Sequence, residues 1–239
     1  MSAASLRRRI GIITGSGPEA GIDLWSKVLL ANRRSFGDRF RGDLDAPEVS
    51  ILSVPDLGLS MELERHHDEV WRHLEHAART IGRMCDVYAI ACNTLNYFEP
   101  RLTKLDSAAT FLSFNACVSR HLRATGTSRV AVLGARPVME LGAWSHYAGL
   151  LGTVDLEVLS PGTIEAVHEL IYAVKRDGAG AAANRERLTR VIESVNSDTV
   201  LLACTELPLI ERPAVAKNVL DVTQLVADEL VRQSLQPRD

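Results

Sequence analysis

Residues 10–21 read Ile10-Gly11-Ile12-Ile13-Thr14-Gly15-Ser16-Gly17-Pro18-Glu19-Ala20-Gly21. An apolar run that breaks into closely spaced glycines and a proline describes a strand, a tight turn and the first turn of a helix. Within it, Gly15 to Ala20 fits G-x-G-x-x-A, which in that setting is a dinucleotide-binding fingerprint. Such a site also needs an acidic residue about 20 residues beyond the glycines, at the end of the second strand. Asp56 follows the next apolar run but lies well past that distance. A nicotinamide-dependent oxidoreductase therefore rests on the turn alone.

Apolar runs rich in Ile, Val and Leu recur at 9–14, 48–54, 86–91, 110–114, 129–134, 154–158, 199–203 and 218–221. Helical patterns fill the intervals at 18–34, 64–83, 115–124, 137–151, 164–175, 182–195 and 222–233. Nearly all-apolar strands alternating with helices predict an α/β protein whose parallel sheets are covered on both faces. The chain also repeats itself. IGIITG at 10–15 has a counterpart in VAVLGA at 130–135, and DVYAIACNT at 86–94 has one in DTVLLACTE at 198–206. The similar offsets predict two related halves.

The totals limit the range of functions. At 239 residues, 46% hydrophobic and 24% charged, the chain is an ordinary globular protein with room for one large domain or two small ones. A formal charge of −3 gives no field to recruit nucleic acid, and Arg7-Arg8-Arg9 reads as a short solvated run before the first strand. No apolar stretch approaches a membrane span and no signal-peptide core is evident, so a cytoplasmic location is expected. The four cysteines do not make a disulfide scaffold, and none is spaced C-x-x-C.

Cys85 and Cys117 sit in or beside helical patterns and read as small core hydrophobes. Cys92 and Cys204 differ. Each ends an apolar strand, where open parallel sheets place their ligand crevice, and each precedes small polar residues and then a helical pattern. A helix N-terminus there would favour a thiolate by about 0.3 to 1 kcal/mol. One such cysteine would suggest a nucleophile; two at equivalent positions suggest proton transfer.

Three motifs in order, Thr14-Gly15-Ser16-Gly17-Pro18, Cys92-Asn93-Thr94 and Cys204-Thr205-Glu206, make the chain resemble the cofactor-independent aspartate/glutamate racemase superfamily. The glutamate of the third motif points to the aspartate racemase branch. The resemblance implies two Rossmann-like lobes with parallel sheets, related by a pseudo-twofold axis and holding the active site in the cleft between them. The expected limits are 1–102 plus 210–239 for the first lobe and 103–209 for the second. It further implies an isomerase in which Cys92 and Cys204 act as acid and base on opposite faces of the substrate α-carbon, with no metal and no pyridoxal phosphate or other cofactor. The implied substrate is an amino acid or related carboxylate, and the implied assembly a homodimer. By position, Asn93, Thr94 and Thr205 would contact the substrate carboxylate, with Thr14 and Ser16 closing the site. Thr94 and Thr205 could also cap helices. Glu206 either binds the substrate ammonium or favours the start of its helix.

The pattern is not complete. The family commonly reads Cys-Asn-Thr-Ala-His where this chain has Leu95 and Asn96. An arginine usual after the second strand is missing from 55–60, and a lysine usual on a helix of the second lobe aligns with Ile164-Glu165. The expected binders of a side-chain carboxylate are thus absent, and the identity of the amino acid stays open. Related reactions of the same fold are the alternatives: hydantoin racemisation, maleate cis–trans isomerisation or malonate decarboxylation. A non-catalytic amino-acid sensor is another. His66, His67, His73 and His76 lack metal-site spacing and read as a solvated or subunit-facing surface. Trp25, Trp71 and Trp144 read as core or interface anchors.

Overall fold

The computed structural model describes residues 7–238. In chain order they form β1 (Ile10–Thr14), α1 (Pro18–Phe36), β2 (Val49–Ser53), α2 (Leu63–Ile81), β3 (Val87–Ile90), α3 (Glu99–Leu102), β4 (Thr110–Phe111), α4 (Phe114–Thr125), β5 (Arg129–Gly134), α5 (Arg136–Met139), β6 (Asp155–Leu156), α6 (Pro161–Asp177), α7 (Ala182–Ser194), β7 (Thr199–Ala203), β8 (Asn218–Asp221) and α8 (Val222–Ser234). The strands make two four-stranded sheets, ordered β2-β1-β3-β4 and β6-β5-β7-β8, and every pairing is parallel. Strand for strand, the second sheet repeats the first, as the duplicated motifs predict.

Alternation along each central strand sorts the core into layers. Ile10 and Ile12 of β1, Val87 and Ala89 of β3, Val130 and Val132 of β5, and Leu201 and Ala203 of β7 all face one apolar cluster with α1, α4 and α8. Their neighbours face outward: Ile13, Tyr88 and Ile90 onto α2, and Ala131, Leu133, Val200 and Leu202 onto α6 and α7. Both sheets are thus covered on two sides, and the middle layer belongs to both.

The sheets do not break at the expected lobe limits of 102 and 209. β4 lies beyond residue 102 yet pairs with β3, and β8 lies beyond residue 209 yet pairs with β7. Of the 210–239 segment it is α8 that packs on α1 of the first lobe, while touching β3 and β7 alike.

Two local expectations fail. The helix predicted over 137–151 stops after Met139, because Leu141 takes a left-handed φ of 54° ahead of Gly142. That conformation costs an L-residue about 1–2 kcal/mol and interrupts the helix. The chain resumes as a 3₁₀ turn, His146–Leu150, which buries Tyr147 and Leu150 in the shared core. The basic run is also not solvated. Arg7 donates to the Asp45 carbonyl at 2.9 Å and to Asn32 Oδ1 at 2.8 Å, and Arg9 pairs with Asp86 at 3.1 Å. These guanidinium forks satisfy carbonyl and carboxylate oxygens at the lower edge of the first sheet. Among the described residues no helix is long and apolar enough to cross a membrane.

Candidate active site

The opening turn shows what its glycines are for. Gly15 has φ +121°, and a Cβ there would lie 2.1 Å from the Val54 carbonyl oxygen at the end of β2. Gly17, the residue before α1, leaves room for something else: a Cβ would lie 2.2 Å from Oε1 of Glu206. A helix N-terminus attracts an anion, and here the anion beside it is a carboxylate of the protein itself. The fingerprint glycine thus admits Glu206.

Cys92 follows β3 and Cys204 ends at β7, the equivalent places of the two halves, and both are buried. The loops that carry them meet. Thr205 donates its hydroxyl to the carbonyl of Ala91, the residue before Cys92, at 3.3 Å. Neither cysteine is followed by a long helix. Cys92 leads into a 3₁₀ stretch, Thr94–Phe98, and the four-residue α3, and Cys204 into a 3₁₀ turn, Leu207–Leu209.

The expected lowering of the Cys204 pKa is therefore not found. Burial raises it well above the ordinary thiol value and Glu206 raises it further, with Lys175 opposing. Cys204 is a thiol, donating to Glu206 Oε2 at 2.8 Å. Cys92 has a different neighbour, the buried Ser60 hydroxyl at 3.8 Å. Ser60 belongs to a 3₁₀ segment, Pro55–Glu62, that roofs this side of the site.

Lys175, in the last turn of α6, completes the cluster. Its ammonium pairs with Glu206 Oε1 and donates to the Ser16 carbonyl, tying the second lobe to the glycine turn. Burial pulls its pKa down, but Glu206, Cys204 and Cys92 together raise it, so Lys175 is a cation within electrostatic reach of both sulfurs. The second lobe thus brings a lysine to the glycine turn from the last turn of α6, away from Ile164-Glu165, where the sequence alignment placed the family's lysine. It is the only lysine between Lys104 and Lys217.

The other predicted residues divide by what their polar atoms already do. Thr14 donates to the Gly17 carbonyl at 3.0 Å, and Thr205 is shared between Ala91 and Glu206, so both hydroxyls hold the framework. Thr94 is buried, and Asn93 rather than Thr94 holds the cap position of its turn, without a side-chain capping bond. Ser16 lines a cleft of about 410 Å³ together with Gly58, Leu59, Tyr172 and Lys175.

Asn93 is buried, and its Nδ2 has no hydrogen-bond partner among the described residues. Its Oδ1 accepts from the Tyr147 hydroxyl at 2.8 Å. Since the hydroxyl serves the oxygen, the amide is held with its two N–H donors turned away from Tyr147. Asn96, where relatives have histidine, is fully buried; it donates to the Cys92 carbonyl at 2.9 Å and accepts from the Phe114 amide at 2.9 Å. It fixes the backbone that carries Cys92. The histidine-rich helix makes no metal cluster: among the described residues no group of three or more potential ligands gathers. His67 packs against Tyr97, Phe98 and Trp144.

The geometry can be compared with known proteins. The family model described as Asp/Glu/Hydantoin racemase matches residues 13–230. Comparison with curated proteins gives no sequence match. Among solved structures, an aspartate racemase homologue from Pyrococcus horikoshii superposes with a TM-score of 0.75 at 23% identity, over 95% of this chain and 99% of that one. The Picrophilus torridus aspartate racemase gives 0.74 at 22% identity, over 96% and 95%. The fold is theirs, and the chain belongs to the Asp/Glu/hydantoin racemase family, as an isomerase that acts on amino acids or their derivatives.

Proposed function

We propose that the protein is a cofactor-independent amino-acid racemase in which Cys92 and Cys204 work on opposite faces of the substrate α-carbon. The observation that carries this reading is the pair of thiols at equivalent strand ends of two repeated halves, on loops that touch through Thr205 and Ala91. In one direction the Cys92 thiolate takes the α-proton, and the Cys204 thiol delivers its own proton to the other face. The roles exchange in reverse, and general acid–base catalysis of this kind contributes about 10²–10⁴-fold. The Asn93 amide, with an unused donor, and the Lys175 ammonium stabilise the carboxylate as negative charge builds on the carbanion. Because Lys175 and the Ser16 carbonyl lie at the cleft while the sulfurs do not line it, Lys175 moves off Ser16 to admit substrate.

The test is racemisation of single-enantiomer amino acids, followed by α-proton exchange in deuterated water. Cys92→Ser and Cys204→Ser should each abolish conversion to the opposite enantiomer while the fold is kept. An unimpaired single variant would refute the two-base assignment. Tight amino-acid binding with no exchange in the wild-type protein would identify a sensor instead.

The same reading includes a cytoplasmic homodimer. Its interface is the outer face of α1, where Ile22, Trp25, Leu29 and Leu30 are 65%, 41%, 39% and 54% exposed, beside β2 with its exposed Ile51. A contiguous exposed apolar patch rimmed by polar residues marks an interaction surface. A self-complementary face of this kind suits a twofold pair of copies. Trp25→Glu should make a dimer dissociate in sedimentation analysis; a wild-type monomer would overturn this part.

A further inference from the structure

The charges around the cleft say which amino acids it accepts. Each of the four lysine and arginine side chains that line the cleft and its adjoining recesses already has an acidic partner. Lys175 is paired with Glu206, Arg136 with Glu165, Arg65 with Glu62 at 2.9 Å and Arg176 with Asp177 at 2.6 Å. The cleft itself is lined by Glu62, Lys175, Arg176 and His66, and His66 faces Glu69 at 3.4 Å; Glu19, Glu64 and Glu140 line the adjoining recesses with no salt-bridge partner among the described residues. The roof over Cys92, Pro55–Glu62, brings only Asp56 and Glu62 as charged groups.

The charged and amide donors near the sulfurs are as limited, the others being neutral hydroxyls such as that of Ser60. The Asn93 amide has an unused donor, and the Lys175 ammonium is shared with an internal carboxylate. That set provides for one substrate carboxylate. A second one would meet, among the described lining residues, only lysine and arginine side chains that already have an acidic partner, and a desolvated unpaired charge is strongly disfavoured.

We infer that the substrate carries a single carboxylate: an amino acid of zero net charge with an uncharged side chain, rather than aspartate or glutamate. This rests on the racemase reading above and narrows it. The discrimination is one of charge, so amide and acid of the same shape are the right comparison.

The experiment measures α-proton exchange in deuterated water for asparagine against aspartate and glutamine against glutamate, in both enantiomers, with alanine and serine alongside. At least one uncharged amino acid should exchange, and each acid should be at least tenfold below its amide in kcat/KM wherever the amide reacts. Aspartate or glutamate reacting as well as every uncharged amino acid would overturn the inference and leave the racemase reading intact. Exchange with no amino acid in the panel would overturn both.

Gly58→Arg provides a second arm. Gly58 lines the cleft, and a Cβ there meets nothing within 4 Å, so the variant adds a cation to the roof with no clash at the backbone. It should move the amide-to-acid ratio at least tenfold toward the acid. A ratio that does not move in the folded variant would overturn the charge argument.

Discussion

Replacing Glu206 with glutamine keeps the length of the side chain and removes its charge. In the wild-type protein burial, and after it Glu206, holds the Cys204 thiol well above its ordinary pKa. The contact is direct, with Sγ donating to Oε2 at 2.8 Å. A hydrogen bond to a charged group contributes about 1.5–3 kcal/mol, and about 1.4 kcal/mol corresponds to a decade in protonation. The variant should therefore carry roughly ten- to a hundredfold more Cys204 thiolate at a given pH on the rising part of its titration. Lys175 favours the thiolate in the same sense for as long as it stays charged. Without Glu206, burial acts on Lys175 with less opposition and its own pKa falls.

Thiolate absorbance can be followed against pH in a Cys92→Ser background, with and without Glu206→Gln. Cys85 and Cys117 are silent over the useful range, since burial chiefly pushes both up to about 12. The alkaline limb of the racemisation profile, where the proton donor is lost, should move to lower pH in the otherwise unmodified enzyme. A Cys204 titration that stays in place or moves to higher pH would refute the reasoning.

Tyr147→Phe removes the hydroxyl that orients Asn93; with about 1 kcal/mol for a neutral hydrogen bond, kcat/KM should fall about three- to tenfold with little change in thermal midpoint, and full activity would show that the amide orients itself. Gly17→Ala brings a methyl group onto Glu206 Oε1, a carboxylate held by Cys204, Thr205 and Lys175; the variant should fold by circular dichroism yet lose most of its turnover, and a fully active one would remove Glu206 from the site. Glu229→Gln tests acid stability. Burial would raise the Glu229 pKa, but Arg232, Gln233 and Arg120 outweigh it and hold the carboxyl at about 2. Its stabilisation is thus present above pH 4.5 and lost as pH falls toward 2; with both arginines about half exposed, about 1–2 kcal/mol is expected after screening. Chemical denaturation at pH 7 and pH 3 should show the variant weaker than wild type at pH 7, with a difference reduced by about half at pH 3.

Strands of this protein were legible because each central strand is apolar throughout, and the halves were legible because the same two strand-and-turn phrases occur twice. Cys92 and Cys204 followed from those two facts, since their place at strand ends is local. What escaped lies in contacts made between lobes. Lys175 reaches the site only because α6 points its last turn at the glycine loop, and Tyr147 because the chain turns at Leu141 instead of continuing a helix. Ser60 sits in a 3₁₀ roof that has neither helical nor strand periodicity. The electrostatics of Cys204 go the opposite way from expectation because burial, and after it a glutamate two residues on, outweigh a short 3₁₀ turn.

The middle apolar layer, to which both sheets contribute with α8 between them, has a bearing on how the molecule was assembled. A half of this chain, left alone, would expose to water the side of that layer that the other half covers. Neither half is a self-sufficient folding unit, so melting should be a single cooperative event. An ancestor of half the length would have been soluble only as a pair of identical chains. Fusion of those chains would have freed the two cysteine loops to diverge, one meeting a glutamate and the lysine of α6, the other a serine hydroxyl.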